Sequence, residues 1–189
     1  MSEYRFITHW RVEGTVEEVY SIIEDVTSLT RWWPSVYLEA NVLDPGDEQG
    51  VGKTVDLYTK GWLPYTLRWQ LKVTRTNRPY GSTIEATGDL TGGGVWSFQQ
   101  DGSMVDVTYH WRVAADKPLL RYLSFLLKPL FSANHRWAMA RGQDSLKLEL
   151  ARRRAVSREE AARVPVPPGP TFPHNRRSRR SARTVGNGR

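Results

Sequence analysis

Repeated alternation of apolar and polar side chains constrains the fold of this chain more than any other feature. In the clearest segment, residues 65–74, the apolar positions are Tyr65, Leu67, Trp69, Leu71 and Val73. Successive side chains of a β-strand point to opposite faces, so this period of two is typical of a strand with one buried face. Because the pattern recurs up to Val113, the sequence predicts an antiparallel sheet with one exposed and one covered face.

Turn signals separate about seven such strands. The first strand covers residues 4–12, and the segments Asp44-Pro45-Gly46 and Asp101-Gly102 mark two of the later turns. An Asp-Gly pair between alternating segments is a strong hairpin signal. The run Gly92-Gly93-Gly94 lacks the lysine and the following helix of a phosphate loop, and it is interpreted as a bulge or turn in the sheet.

Helical patterns flank the sheet on both sides. A capping box from Thr15 to Glu18 predicts a helix over residues 16–26, and a second short helix over 28–32 should end before Pro34. After the last strand, an apolar helical segment from Pro118 to Lys128 should be broken or kinked at Pro129, and a long helix follows over 130–154. The small residues Ala138, Gly142 and Ser145 predict a close approach of this helix to the sheet.

This order of elements resembles the START-like or SRPBCC superfamily, whose architecture is the helix-grip fold. The resemblance covers about residues 1–152 and is carried by the opening strand with Val12-Glu13-Gly14-Thr15-Val16-Glu17-Glu18-Val19-Tyr20, by Arg31-Trp32-Trp33-Pro34, by Gly50-Val51-Gly52 and by the terminal helix. Within the superfamily the chain is similar to the polyketide cyclase/dehydrase and lipid-transport group. The resemblance implies an α+β fold in which a curved antiparallel sheet of about seven strands wraps around the long C-terminal helix. A cavity between sheet and helix would hold an apolar ligand.

Charge divides the chain into two parts. Residues 151–189 contain eleven arginines and two glutamates, a net charge of +9, whereas residues 1–150 carry 16 basic and 18 acidic side chains, a net of −2. We therefore expect a START-like ligand-binding domain over 1–154 and a disordered Arg- and Pro-rich tail over 155–189. The folded body has no electrostatic reason to bind nucleic acid. The cluster from Arg176 to Arg183 could contact a polyanion or an anionic membrane surface, or act only as a solvated tail.

Large aromatic side chains dominate the face predicted to be covered. We expect the ligand-binding residues to be Trp10, Trp62, Tyr65, Trp69, Trp96, Phe98, Tyr109 and Trp111. So many rings on one concave face favour a cavity, because they are hard to pack closely without a void. The alternative is that these rings only fill the core. Trp62, in the loop Gly61-Trp62-Leu63-Pro64, is either a gate at the cavity mouth or an exposed ring.

Titratable groups give little support for catalysis. By alternation His9 and His110 lie on the exposed face, and His174 belongs to the tail, so His135 is the only histidine that could face the cavity. It is a weak catalytic candidate, and a surface or structural role is the alternative. No cluster has metal-ligand spacing, and we expect neither a metal nor a cofactor.

Two functions follow from these observations. The first is a binding protein for a hydrophobic or aromatic small molecule, lipid-like or polyketide-like, and the second is an enzyme of the polyketide cyclase/dehydratase type. The absence of an acid–base pair on the inner face favours the first. The chain contains no cysteine and begins without a signal-peptide pattern, which together predict a cytoplasmic location.

Overall fold

The computed structural model describes residues 3–115 and 124–172. Within these ranges the strands are β1 (Glu3–Glu13), β2 (Tyr37–Asp44), β3 (Thr54–Lys60), β4 (Thr66–Asn77), β5 (Gly81–Gly88), β6 (Leu90–Asp101) and β7 (Met104–Ala115). The helices are α1 (Val16–Glu24), α2 (Leu29–Trp32), α3 (Ser124–Arg154) and α4 (Arg158–Arg163). The predicted α+β class and the order of one strand, two short helices, six strands and a long helix are confirmed.

All seven strands belong to one antiparallel sheet in the order β1-β7-β6-β5-β4-β3-β2. The first strand therefore closes onto the last one, with Phe6 opposite Trp111 and Trp10 opposite Val107. Alternation along each strand directs one row of side chains inward, where α3 covers the concave face.

A capping box begins α1, as the sequence predicts. The Glu18 amide donates to the Thr15 hydroxyl over 3.2 Å, and the Glu18 carboxylate accepts the Thr15 amide over 2.8 Å. The same carboxylate accepts the Arg154 guanidinium over 2.8 Å, which ties the end of α3 to the beginning of α1. The hydrogen bonds from Arg154 and Thr15 lower the pKa of Glu18 to about 2.

A buried carboxylate joins α3 to α2. The Glu149 side chain is 1% exposed, and it accepts both terminal nitrogens of Arg31 over 2.7 and 2.8 Å. Arg153 and Arg152 of α3 donate to the same group over 2.9 and 3.2 Å. Burial by itself would raise the pKa of Glu149, but the arginines outweigh burial and hold that pKa below its ordinary value.

Gly142 brings α3 close to Trp33 and not to the sheet, which corrects the prediction from the small-residue pattern. A Cβ atom on Gly142 would overlap the Trp33 indole ring. The ring that follows α2 lies between the helix and the sheet, and it also contacts Trp10 of β1. The side chain absent from Gly142 therefore makes room for an aromatic ring.

Two expected interruptions of regular structure are wrong: the break at Pro129 and the bulge or turn at Gly92-Gly93-Gly94. Pro129 lies inside α3 and does not break it, since proline removes one backbone hydrogen bond and the other bonds of the 31-residue helix continue around it. A kink at Pro129 stays a prediction. Gly92, Gly93 and Gly94 lie inside β6 and keep an unbroken register with both neighbouring strands. Residues 118–123 of the expected helical segment lie outside the described residues.

The structure places residues 155–172 in the short helix α4 and the segments on either side of it, and disorder of the tail from residue 155 stays a prediction. Ser157 caps α4 by accepting the Glu160 amide over 3.1 Å. The following residues 164–172, here called the C-terminal strap, contact the body through Pro165, Thr171 and Phe172. The Pro165 carbonyl accepts Arg152 over 3.0 Å, and the Thr171 hydroxyl lies 3.4 Å from the carbonyls of Gly61 and Trp62. The sequence did not predict these contacts, because the segment has few apolar residues and its contacts use backbone carbonyls. The basic cluster from Arg176 to Arg183 lies outside the described residues.

We predict that Glu149→Gln destabilises the protein by about 1–3 kcal/mol, because three arginines lose a charged acceptor and one of them is half exposed. A carboxylate whose pKa is lower in the folded protein than in the unfolded chain stabilises the fold at every pH above the unfolded pKa, near 4.5. This stabilisation is lost as the pH falls through the folded pKa. The free energy of unfolding in urea should therefore be higher for the wild type than for Glu149→Gln at pH 7, and this difference should shrink as the pH falls below 4. An equal difference at both pH values would contradict this account.

We predict that a chain ending at Arg154 melts about 2–4 °C below a chain ending at Phe172, because only the longer chain keeps the strap contacts. Both chains lack residues 173–189, so the comparison isolates residues 155–172. Thermal unfolding followed by circular dichroism measures the difference, and identical midpoints would show that the strap does not stabilise the body.

Candidate functional site

A cavity of about 160 Å³ lies between the inner face of the sheet and the N-terminal half of α3. Its wall combines the start of β1, the end of β7 and the ends of β3 and β4 that face the loop at residues 61–65. The residues around it are Tyr4, Phe6, Trp33, Val36, Tyr37, Thr59, Lys60, Gly61, Tyr65, Leu67, Trp69, Leu90, Tyr109, Trp111, Val113, Phe131, Asn134, His135, Ala138 and Met139.

The structure divides the eight aromatic residues named from the sequence. Tyr65, Trp69, Tyr109 and Trp111 line the cavity. Trp10, Trp96 and Phe98 are buried on the same inner face but lie away from the cavity, and this corrects the expectation of one shared wall. For the four residues in the wall, a role in ligand binding stays a prediction.

Position along the strands explains this division. Helix α1 covers the far end of the sheet, where Tyr20 meets the Phe98 ring edge-on with centroids 5.7 Å apart. Trp10 packs against Trp33 and Trp96 with centroids 5.6 and 5.5 Å apart. Side chains from α1 and from the segment after α2 therefore fill most of this end and leave a smaller cavity of about 50 Å³ beside Tyr20, Trp96 and Phe98. The opposite end keeps the cavity of about 160 Å³.

The four wall aromatics include a row of three with fixed orientations. Tyr109 stacks on Trp96 with centroids 3.9 Å apart, and Trp111 continues the row with its centroid 5.6 Å from Tyr109 and 5.7 Å from Trp69. The Trp69 indole N–H donates to the Thr59 hydroxyl over 3.0 Å. Gly94 allows this arrangement, because a Cβ atom there would lie 2.5 Å from the Tyr109 hydroxyl.

Trp62 occupies the loop between β3 and β4, and its side chain is half-buried and outside the cavity wall. The loop is held from two sides. Asn134 of α3 accepts the Leu63 amide over 3.1 Å, and the strap residue Thr171 contacts the Trp62 carbonyl. The hypothesis that Trp62 is a gate stays a prediction.

His135 faces the cavity. Its ring stacks on Phe6 with centroids 4.0 Å apart, and its Nε2 atom is buried without a hydrogen-bond partner in the described part of the chain. Burial, with a smaller contribution from Arg136, lowers the pKa of His135 to about 4. The imidazole is therefore neutral at pH 7 and can accept or donate one hydrogen bond to a bound molecule.

Lys60 is a charged wall residue that sequence reasoning missed, as it missed Tyr4, Tyr37, Phe131 and Met139. Lys60 is 2% exposed, and its Nζ atom has no hydrogen-bond partner among the described residues. Alternation along β3 places Val55, Leu57 and Thr59 inside and would put Lys60 outside, but the strand ends there and the chain turns at Gly61. Only the position of Lys60 at the end of a strand, next to a glycine, could have indicated this orientation.

Several tyrosines add hydroxyl groups to the wall. Burial, with a smaller effect of Tyr4, raises the pKa of Tyr65 to about 12, and burial raises the pKa of Tyr37 and Tyr109 as well. These phenols stay protonated at neutral pH. The Tyr4 hydroxyl is buried and has no partner in the described ranges.

The arrangement can enclose an aromatic or apolar group and offer hydrogen bonds at a few points. No carboxylate belongs to the described part of the wall. Across residues 3–115 and 124–172, no group of three histidine, aspartate or glutamate side chains could hold a metal ion. In the same ranges, no helix has the length and hydropathy required to cross a membrane.

The curved seven-stranded sheet and the long helix against it form the helix-grip fold. The Zhui aromatase/cyclase from Streptomyces sp. R1128 has a similar structure, with a TM-score of 0.66, 12% sequence identity, and coverage of 82% of this chain and 98% of that one. TTHA0849 from Thermus thermophilus matches with a TM-score of 0.62 and 15% identity, over 82% of this chain and 100% of that one.

A third similar structure is the di-domain ARO/CYC BexL from the BE-7585A biosynthetic pathway. It has a TM-score of 0.57 and 12% identity, and the match covers 77% of this chain and 50% of that one. No protein-family model and no curated protein matches the chain. At these identities the likeness is one of fold.

We predict that His135 titrates with a midpoint near pH 4, against an ordinary value of 6.5, in NMR spectra of the imidazole resonances. A histidine with a lowered folded pKa costs stability as the pH falls from its unfolded value toward its folded one, because the unfolded chain binds the proton more readily. Between pH 7 and pH 5 the free energy of unfolding should therefore fall by about 1–2 kcal/mol more in the wild type than in His135→Phe. The same pH dependence in His135→Phe would contradict this assignment.

Proposed function

We propose that this protein binds an aromatic or otherwise hydrophobic small molecule in the cavity between the sheet and α3. The observation that carries the proposal is the cavity itself, about 160 Å³ with a wall of mostly aromatic and aliphatic side chains. Cavities of roughly 150 Å³ with apolar walls bind benzene. The volume favours a compact aromatic group over a long acyl chain.

The wall chemistry supports the same conclusion. Ligand sites are commonly concave and mostly apolar, with a small number of polar groups that orient the ligand. Here Trp69, Tyr109 and Trp111 supply ring surfaces, while Lys60 and His135 supply polar atoms without partners in the described chain. The fold shared with two aromatase/cyclases is consistent with a pocket for ring-bearing molecules.

A second candidate function is an enzyme of the polyketide cyclase/dehydratase type acting in the same cavity. The observation that favours it is the neutral imidazole of His135 in the wall, which could accept a proton beside a carbonyl group and return it to the departing oxygen. Against it stands the missing carboxylate, because His135 has no acidic partner in the described wall to stabilise its charged form. We therefore favour binding.

Tryptophan fluorescence and calorimetric titration with toluene and with naphthalene test the binding proposal. We expect saturable binding that is weakened at least about tenfold in Trp69→Ala and in Trp111→Ala, because each loses a ring from the wall. Trp10→Ala is the matched control: it also removes a buried ring but lies outside the wall. Each variant must first be shown to be folded, since loss of a buried ring costs about 3–5 kcal/mol. Equal effects of all three substitutions, or no saturable binding, would overturn the proposal.

His135→Ala separates the two functions. If the protein only binds its ligand, neither the wild type nor His135→Ala should convert a poly-β-carbonyl substrate. If the protein is an acid–base catalyst, the same substitution should reduce turnover of a poly-β-carbonyl substrate by roughly 10²- to 10⁴-fold while binding is preserved. Product analysis by mass spectrometry distinguishes these results.

A further inference from the structure

The amine of Lys60 is a buried polar group without a hydrogen-bond partner in the described chain. Lys60 is 2% exposed, and its backbone N–H donates to the Val36 carbonyl over 2.9 Å, which holds the residue beside β2 and in the cavity wall. Burying an amine without a compensating interaction costs free energy, and burying it in the charged form costs more. Such residues are almost always paired in folded proteins.

The protein compensates this cost only in part. The Phe172 ring of the C-terminal strap lies with its centroid 4.8 Å from Nζ, which is the geometry of a cation–π contact. This contact stabilises the ammonium form but supplies no negative charge. No carboxylate belongs to the described wall, so the described residues place no negative charge beside Lys60, and a bound acid would supply one.

The other polar groups of the wall also favour a ligand with acceptor oxygens. The Tyr4 hydroxyl and His135 Nε2 are buried without partners in the part of the chain that the structure describes. The tyrosines of the wall keep their protons and can act as donors. A wall of rings with an ammonium group and hydroxyl donors is complementary to an aromatic acid.

We propose that the ligand of this cavity is an aromatic molecule that carries an acidic oxygen, a carboxylate or a phenolate, and that this oxygen pairs with Lys60. The inference rests on the proposed function and specifies the ligand class of the same site. A charge-assisted hydrogen bond in a site shielded from water is stronger than one between neutral groups. Phe172 would close the ion pair on the side of the strap.

The test compares 4-methylbenzoate with 4-methylbenzamide, which have nearly the same shape and differ in charge. Both are titrated into the full-length protein at pH 7, and affinities are taken from amide chemical shifts in NMR spectra. We expect the carboxylate to bind at least about tenfold more tightly than the carboxamide, because truncating a buried charge pair commonly costs more than this factor. Lys60→Met should abolish the preference, and Lys60→Arg should keep part of it.

Lys72→Met provides the matched control. Lys72 lies on the exposed face of β4, so its loss removes the same charge without touching the cavity, and the preference for the carboxylate should remain. A preference that persists in Lys60→Met, or that disappears in Lys72→Met, would overturn the assignment of Lys60. Binding of 4-methylbenzamide without any preference for 4-methylbenzoate would overturn the ligand class and leave the binding function intact. If neither compound binds, this inference fails, and the titrations with toluene and naphthalene decide the proposed function independently.

A second measurement on the wild-type protein covers the case in which Lys60→Met does not fold. Reductive methylation with formaldehyde, followed by peptide mass spectrometry, should be slowed at Lys60 by saturating 4-methylbenzoate much more than by saturating 4-methylbenzamide. Lys72 serves as the internal reference. Equal protection of Lys60 by the two compounds would contradict the ion pair.

Discussion

The cavity depends on how α3 is held against the rest of the molecule. Glu149 is buried among Arg31, Arg152 and Arg153, and Gly142 lets the helix approach Trp33 until the two are in contact. Both contacts lie in the C-terminal half of α3. They fix this half tightly to α2 and the residue that follows it, while the N-terminal half covers the opposite end of the sheet, where the described chain places no short helix beneath it. A space between helix and sheet remains at that end.

The aromatic residues of the inner face also differ between the two ends of the sheet. At the end covered by α1, the rings of Trp10, Trp96 and Phe98 pack against Trp33 and Tyr20 and leave a cavity of only about 50 Å³. At the other end the inner faces of β1, β4 and β7 are lined with rings, and none of the short helices that the structure describes fills the gap between them and α3. Polar atoms without partners among the described residues occur in the wall of this end, on Tyr4, Trp33, Lys60 and His135, and also at the packed end, on Trp10, Tyr20 and Trp32. The ammonium group of Lys60 is the charged one among them. A site for a ring with a polar substituent results from the distribution of helices as much as from the choice of side chains.

Sequence periodicity predicted the strands, the inner face and the helix order, because these depend on local spacing. It could not tell which end of a strand lies beside α1, so Trp10 and Trp96 were grouped with Trp69 and Trp111 although only the latter two line the cavity. The buried position of Lys60 could not be predicted from alternation, because alternation fails where β3 ends. The strap was missed for a different reason. Its contacts use backbone carbonyls and single side chains such as Thr171, which leave no periodic signal in the sequence.

The central claim is that an aromatic molecule occupies the space between α3 and the inner face of the sheet. Isotope-filtered NOE spectra of methyl-labelled protein with unlabelled toluene test it most directly, because they detect which methyl groups lie within a few ångströms of the ligand. We expect contacts to Val36, Leu67, Val113 and Met139, which line the cavity from four different segments of the chain. Contacts confined to exposed methyl groups such as Ile7 and Val95, or the absence of any contact at saturating toluene, would contradict the account.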